Sequence, residues 1–243
     1  MRYDLGVILL AIDTCDPRGS VSVADEKGEV TTAVHETGEP YSSWLFSEVG
    51  RLVKAAVGEM SRINGYAVAS GPGSFTGVRV GLTAVKAWAE VYGRPVIAVS
   101  RLEAVAMQSH SGSDGIAAYL DAHRGEVFGA FYRKEGRQLT AVGQEMVGSP
   151  EEFVDWVLSQ ARGKSAGWIS PDVQLLADGA QREQRWPEVE LASFRLAPII
   201  AEIAAERFRR GILADAVDLD ANYVRRCDAE IFWKSPRAGG KLG

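Results

Sequence analysis

The sequence predicts an α/β protein built as two lobes. Strand-like apolar runs alternate with helical patterns in the first half, and a polar loop then leads into a second set of strands and helices. With 243 residues, of which 46% are hydrophobic, the chain is long enough to bury a sizeable core. We expect an N-terminal lobe over residues 1–108, a C-terminal lobe over 109–233 and a flexible tail over 234–243.

The first lobe is predicted to begin with three strands. Val7–Ile12 is a continuous apolar run, and Gly19–Ala24 resumes it after a turn that contains Asp16 and Pro17, as in a hairpin. Val30–Val34 supplies the third strand. The first run is too short to span a membrane and lacks a signal-peptide cleavage pattern, so we interpret it as a buried strand.

Helices and strands alternate after these three predicted strands. Apolar residues recur at helical spacing over Ser43–Val57, after the break at Gly38–Pro40. A short strand over Tyr66–Ala69, a helix over Phe75–Tyr92 and a strand over Pro95–Val99 follow. This order predicts βαβ units with parallel strands.

The second lobe is predicted to begin beyond the polar loop 109–115. Its strands are Ile116–Leu120 and Glu126–Tyr132, and its amphipathic helices are Pro150–Ala161 and Ala197–Arg210. The second lobe is therefore predicted to begin with strands again, as the first lobe does.

Charge and cysteine content exclude several classes of site. The net charge of -5 argues against a surface that binds nucleic acid by itself, so we expect tRNA or any other nucleic acid to require a partner. Cys15 and Cys227 lie far apart, which predicts neither a disulfide framework nor a zinc site and fits the cytoplasm. The histidines, His35, His110 and His123, have no metal-binding spacing, so no metal site is predicted.

A glycine-rich turn, SGPGSFTGVR over residues 70–79, connects the fourth strand to the long helix. It matches neither the phosphate-binding P-loop nor the dinucleotide fingerprint, and Ser74 does not stand in a GxSxG motif. We interpret residues 71–73 as a tight turn and Ser74 as the helix cap, while the amides of the helix start could still hold an anion weakly.

Two carboxylates offer a different chemistry. Asp13 and Asp121 each follow an apolar strand and precede a turn, which is where two-lobed phosphotransferases position a metal and a nucleotide. A capping aspartate at these places is equally common. We take Asp13, Thr14 and Asp121 as a vestigial site with at most weak nucleotide binding and predict no cofactor.

The helix over Phe75–Tyr92 is apolar or small around almost its whole circumference. Such a helix must be covered on both sides. We expect one side to face its own sheet through Val78, Leu82, Val85 and Ala89. The other side carries Gly77, Val80, Gly81, Ala84, Ala87 and Trp88, and its small residues would let a second helix approach closely.

The helix over Ser43–Val57 has the same need for cover. Its apolar residues are Trp44, Leu45, Val49, Leu52 and Val53. Burying Trp88 alone is worth about 4 to 6 kcal/mol gross. From the pattern, either the two helices cover each other within one lobe or a second polypeptide covers them.

Together these stretches resemble the bacterial TsaB family, also called YeaZ. The matching segments are Ile8–Thr14 with Gly19–Val23, Ser70–Gly81, Val99–Glu103, Asp121–Val127 and Tyr223–Arg225. The segment around the glycine turn is highly specific and the others are supportive. Similarity is clear over residues 7–133 and loose beyond.

The resemblance implies a two-lobed fold like that of actin and the sugar kinases, each lobe a mixed sheet with flanking helices. It implies a noncatalytic scaffold subunit for TsaD, which transfers threonylcarbamoyl to the adenosine next to the anticodon of tRNA. A TsaE-like ATPase would be a further partner, tRNA would bind only through the complex, and the chain would form a homodimer when alone, away from membranes.

The resemblance also implies that helices of the first lobe form the partner interface. The predicted interface residues are Trp44, Leu45, Val49, Leu52, Val53, Gly77, Val80, Gly81, Ala84 and Trp88. The chain departs from the family at Tyr41, where relatives usually have histidine, and at His123, where arginine is commoner. The alternative is an ATP-dependent phosphotransferase-like enzyme of the same fold, with Asp13 and Asp121 on magnesium phosphate.

Overall fold

The computed structural model describes residues 6–36, 38–177, 187–217, 219–222 and 224. Two mixed sheets, each with helices packed against it, confirm the predicted α/β class. The predictions for the tail 234–243 and for Cys227, and the family positions 223 and 225, lie outside the described residues.

The first sheet contains five strands in the order β3-β2-β1-β4-β5. Their bounds are β1 Leu9–Asp13, β2 Ser20–Ala24, β3 Val30–Val34, β4 Gly65–Ala69 and β5 Val96–Val99. The first three strands pair antiparallel, whereas β4 and β5 run parallel to β1. Strands β1, β2 and β4 are buried throughout, since both faces of the sheet are covered by helices.

Helix α1 (Tyr41–Ala56) and helix α2 (Phe75–Tyr92) pack on the same sheet, separated by a 3-10 turn at Met60–Arg62. The predicted bounds of α2 are confirmed at both ends. Ser74 caps the start, because its hydroxyl accepts a hydrogen bond from the Gly77 amide at 3.3 Å. Gly93 ends the helix in the left-handed conformation at φ 59°, which glycine adopts without strain.

The second sheet repeats the plan of the first, with three antiparallel strands followed by parallel ones. Its strand order is β11-β10-β6-β7-β8, with β9 also paired to β7. The strands are β6 Gly115–His123, β7 Glu126–Glu135, β8 Gln138–Ala141, β9 Met146–Gly148, β10 Ala166–Ser170 and β11 Val189–Leu191. Helices α3 (Arg101–Ala106), α4 (Pro150–Ala161) and α5 (Gln174–Ala177) accompany them. The strands β8 to β11 were not predicted, since three of them have only three or four residues and β8 is largely exposed.

The last described helix corrects the predicted lobe division. Helix α6 (Ala197–Arg209) was assigned to the second lobe, but it packs on β1, β2, β4 and β5 of the first sheet. It fits closely at Gly65, where an added Cβ would lie 3.2 Å from the Phe208 ring. It is anchored at its start, where the Ala197 amide donates to the Ser20 hydroxyl at 3.0 Å. The chain therefore returns to the first sheet after completing the second.

No helix of the described ranges is long and apolar enough to cross a bilayer.

Candidate functional site

The glycines of α2 fit the helix against the loop after β1, which corrects the predicted outward orientation of Gly77 and Gly81, whereas Ala87 is exposed as predicted. A Cβ on Gly77 would lie 2.1 Å from the Thr14 carbonyl oxygen, and one on Gly81 would lie 2.6 Å from the Thr14 hydroxyl oxygen. Both glycines are buried in the protein's own fold. They allow the close approach of β1 and its loop.

The glycine turn is likewise packed closely against the loop after β1. The Thr14 hydroxyl donates to the Gly77 carbonyl at 2.7 Å, and the Ser74 amide donates to the Cys15 carbonyl at 2.7 Å. A Cβ on Gly73 would lie 2.3 Å from the same Cys15 carbonyl. Thr14, predicted as part of a vestigial nucleotide site, is 1% exposed and holds the first turns of α2.

A cleft of about 330 Å³ lies beside the turn, between the two sheets. Its walls include Cys15, Asp16, Gly73, Ser74, Arg101, Asp121, His123, Arg124 and Asn222. Asp121 is thus on the cleft wall, where its carboxylate accepts a hydrogen bond from the His123 amide at 2.6 Å and lies 3.2 Å from the His123 Nδ1. His123 is exposed and has a positive φ of 60°.

Asp13 is separated from this cleft by Arg101. The carboxylate is fully buried, and its Oδ2 accepts from the Arg101 Nε at 3.2 Å. Its Oδ1 accepts from the Cys15 amide at 2.9 Å. Arg101 also donates to the Pro72 carbonyl at 3.2 Å and lies 3.9 Å from the Asp16 carboxylate. Both oxygens of Asp13 are therefore paired within the protein.

The electrostatics of this cluster follow from burial and pairing. Burial by itself would lower the pKa of Arg101, but Asp13, Cys15 and Asp16 together raise it above the ordinary arginine value. Burial, reinforced by the nearby Asp13 charge, raises the pKa of the Cys15 thiol well above its usual value. The guanidinium is thus a permanent cation, while the thiol is held neutral and is not a nucleophile.

The structure does not bring Asp13 and Asp121 together as a pair of metal-binding carboxylates. Asp13 faces Arg101 behind the wall of the cleft, and Asp121 lies on the wall itself. Within the described ranges, no group of three or more histidine, cysteine, aspartate or glutamate side chains could hold a metal ion. The cation that balances Asp13 is a side chain of the protein.

Several predicted interface residues belong to the core of the first lobe. Leu45, Val49, Leu52, Val53 and Ala84 are at most 3% exposed. They pack α1 and α2 onto the first sheet, so their side chains do not form the outer surface. Trp44 and Val80 are half-buried.

The two helices nevertheless present exposed apolar and small polar residues, with the exposed Lys54 on the same side of α1, and we call this surface the α1/α2 face. It consists of Ser43, Phe46, Ser47 and Gly50 on α1 and Thr76, Val80, Thr83, Ala87 and Val91 on α2, all exposed except the half-buried Val80. Phe46 is 53% exposed and Val91 is 73% exposed. The half-buried Trp88 lies at the inner edge of the face, with its ring 5.6 Å from that of Phe46. A Cβ on Gly50 would meet no atom within 4 Å, so this part of α1 is open to close approach.

Tyr41, a predicted departure from the family, ties the first turn of α1 to the loop after β1. Its hydroxyl donates to the Asp16 carbonyl and lies against Gly19. Its ring packs on the buried His35, at 4.1 Å between centroids. Burial raises the pKa of Tyr41 well above the usual tyrosine value, so this donor keeps its proton.

The sequence analysis did not single out two residues, Arg101 in the cleft and Phe46 on the α1/α2 face. Arg101 lies among the segments quoted for the family, but nothing in the local pattern shows that it pairs with a residue 88 positions away. Phe46 was overlooked because it falls off the apolar face of α1. Its spacing from Ser43, Ser47 and Gly50, which places all four on one helix side, was the available signal.

Comparisons with known proteins agree with this fold. A family model described as TsaD, tRNA N6-adenosine threonylcarbamoyltransferase, matches residues 35–182. The tRNA threonylcarbamoyladenosine biosynthesis protein TsaB of Escherichia coli (strain K12) is 30% identical over 191 residues, which are 71% of this chain and 82% of that protein. The TsaB of Haemophilus influenzae (strain ATCC 51907 / DSM 11121 / KW20 / Rd) is 25% identical and spans 93% of this chain and 95% of its own length.

A solved structure extends the likeness to three dimensions. The Pseudomonas aeruginosa protein described as similar to the peptidase YEAZ is 26% identical and superposes with a TM-score of 0.74, covering 90% of this chain and 100% of its own. Together with the two mixed sheets, this likeness confirms the predicted two-lobed fold of the actin and sugar-kinase type.

Proposed function

Because this chain belongs to the TsaB (YeaZ) family, we propose that it acts in threonylcarbamoyladenosine formation on tRNA as a noncatalytic subunit that binds a TsaD-type transferase. The observation that carries the noncatalytic part is the buried pair of Asp13 and Arg101. A carboxylate with both oxygens paired inside the protein is not available to hold a metal or a phosphate. This arrangement supports a scaffold and disfavours a phosphotransferase.

The α1/α2 face is the proposed binding surface for the transferase. It includes exposed apolar residues and small residues that let another helix approach, and it offers the aromatic pair of Phe46 and Trp88 as an anchor. The interface therefore comprises the outer residues of the predicted helices, while the buried members of the predicted set hold the helices in place.

The same face would serve a homodimer when the transferase is absent, so the two assemblies would compete. We also include a TsaE-like ATPase as a third component, with tRNA bound only through the complex. This last point is supported by the net charge of -5, which offers little attraction for a polyanion. We place the assembly in the cytoplasm.

Replacing Phe46 with glutamate is expected to weaken binding to the TsaD-type subunit of the same organism by at least about tenfold, because a charge would lie in the apolar centre of the contact. The side chain is 53% exposed, so the fold should tolerate the change. Co-expression followed by size-exclusion chromatography and a titration measures the effect.

The matched control is Leu158→Glu on α4, which places the same charge on an equally exposed helical residue, 51% exposed, of the other lobe. It should bind like the unmodified protein. Equal binding by both variants would show that the partner uses another surface, and separate elution of the unmodified proteins would count against the subunit role itself.

Calorimetric titration with magnesium ATP is expected to give no binding at micromolar concentration, since Arg101 occupies the oxygen of Asp13 that a metal would need. Micromolar binding that is lost in Asp13→Asn would instead support the phosphotransferase alternative. The Asp121→Asn variant is the companion measurement, because Asp121 lies on the cleft wall and can be changed without disturbing the core.

A further inference from the structure

A buried histidine joins separate segments of the first lobe beside the start of α1. His35 follows β3 and is 4% exposed. Its Nδ1 lies 2.8 Å from the Pro17 carbonyl oxygen, in the loop after β1, and its Nε2 lies 2.7 Å from the Glu39 carbonyl oxygen, just before α1. Its backbone amide donates to the Gly19 carbonyl at 2.9 Å. The ring therefore bridges the loop after β1 and the segment that leads into α1.

Both ring nitrogens of His35 contact groups that can only accept a hydrogen bond. A carbonyl oxygen carries lone pairs and no proton, so a contact of this length requires an N–H on the ring nitrogen. A neutral imidazole has one N–H and would turn the lone pair of its other nitrogen towards a carbonyl oxygen. Neither carbonyl can reverse its role, as a hydroxyl could. Only the imidazolium form, with a proton on each nitrogen, satisfies both contacts.

Aromatic and charged groups surround the ring on each segment that contacts it. The Tyr41 ring of α1 lies 4.1 Å away at a tilt of 31°, so its face can stabilise a cation, and the Trp44 ring lies 5.0 Å away. Arg18 pairs with Asp16 and with Asp172. The carboxylates of these segments outnumber the cation, which favours a positive charge on the ring. The titratable groups concerned are Tyr41 on α1, Asp16 and Arg18 beside Pro17, Glu36 beside the histidine itself, and Glu39.

We propose that His35 is a proton-dependent attachment point for the start of α1. With both ring nitrogens protonated, it binds the Pro17 and Glu39 carbonyls together, and the loss of one proton releases one of these two attachments. Because Tyr41 and Trp44 lie in the first turn of α1 and pack on the ring, the proton also sets the position of the helix start beside the α1/α2 face. The inference concerns the free protein and does not depend on the partner proposed above.

The attachment should stabilise the protein on the acid side of the histidine range and should be lost as the pH rises through about 5 to 8. His35→Phe isolates this contribution, since it keeps an aromatic ring against Tyr41 and removes both donors. The ratio of the unfolding constants of the variant and the unmodified protein should be about tenfold larger at about pH 5.5 than at about pH 8, as expected for one charged hydrogen bond. His110→Gln, at an exposed histidine, should show no such change in ratio.

Nitrogen-15 NMR of the unmodified protein reads the ring directly. At about pH 5.5, His35 should show slowly exchanging protons on both Nδ1 and Nε2, whereas the ring protons of the exposed His110 and His123 should exchange rapidly. One of the two His35 protons should be lost as the pH is raised to about 8. The indole signal of Trp44 should shift with the same midpoint. That of Trp168, buried in the second lobe, should not follow it.

A single ring N–H at His35 throughout this pH range would overturn the proposal, and so would a stability ratio that does not change with pH. Should His35→Phe fail to fold, the NMR titration of the unmodified protein still decides the protonation of the ring. A Trp44 signal that does not follow the titration of His35 would refute the coupling to α1.

Discussion

Replacing Gly77 with alanine is expected to lower the free energy of unfolding by about 2 to 4 kcal/mol, at or above the usual cost of overpacking a core. The added methyl group would lie 2.1 Å from the Thr14 carbonyl oxygen, a backbone atom that cannot move aside as a flexible side chain could. Helix α2 would have to shift away from β1, which also strains the hydrogen bond from the Thr14 hydroxyl to residue 77. Urea denaturation at low protein concentration measures the change.

Gly50→Ala is the matched control for this substitution. Gly50 also lies inside a helix, but a Cβ there meets no atom within 4 Å. Alanine should therefore stabilise α1 by about 0.5 to 1 kcal/mol through its higher helix propensity. A Gly77→Ala protein as stable as the unmodified one would contradict the assignment of this glycine to internal packing and would return it to the list of surface candidates.

Replacing Arg101 with methionine is expected to cost about 3 to 5 kcal/mol of stability, because it leaves the Asp13 carboxylate buried without its cation. The Asp13 side chain is fully buried, and that of Arg101 is 5% exposed. Methionine keeps most of the packing volume, so the loss reports the missing charge. Equilibrium denaturation at neutral pH gives the value.

A double-mutant cycle separates the pair from its surroundings. Asp13→Leu combined with Arg101→Met should be clearly less destabilising than the sum of the two single changes, since no unpaired charge remains. Arg51→Ala, which breaks an exposed pair with Glu48, should leave stability nearly unchanged. Additive effects at Asp13 and Arg101 would refute the view that Arg101 is the cation that balances the buried Asp13.

Local sequence signals predicted the helices and strands whose ends are marked by capping or helix-stopping residues. Helix α2 was located to the residue because Ser74 caps its start and Gly93 stops it, and α4 was located because Pro150 follows the cap at Ser149. The strands β1 to β5 were recognisable because the first sheet is covered on both faces, which makes its central strands continuous apolar runs.

Orientation and long-range pairing could not be predicted in the same way. The pattern shows that Gly77 and Gly81 are small, but a helix apolar on all sides does not reveal which side meets its own sheet. The pairing of Arg101 with Asp13 and the return of α6 to the first sheet depend on contacts between distant segments. The strongest predicted site residues were accordingly placed in the core, while Phe46, outside the apolar pattern of α1, is at the surface.

The return of α6 has a consequence for how the protein is made. One face of the first sheet is covered by a helix that follows every described strand in the chain, so the N-terminal strands emerge from the ribosome long before their cover exists. The first lobe therefore cannot complete its core while only its N-terminal strands and helices have been synthesised. Only when residues 197–209 have left the exit tunnel can the first lobe close around its core, so that this face is completed after the strands of the second sheet have been synthesised.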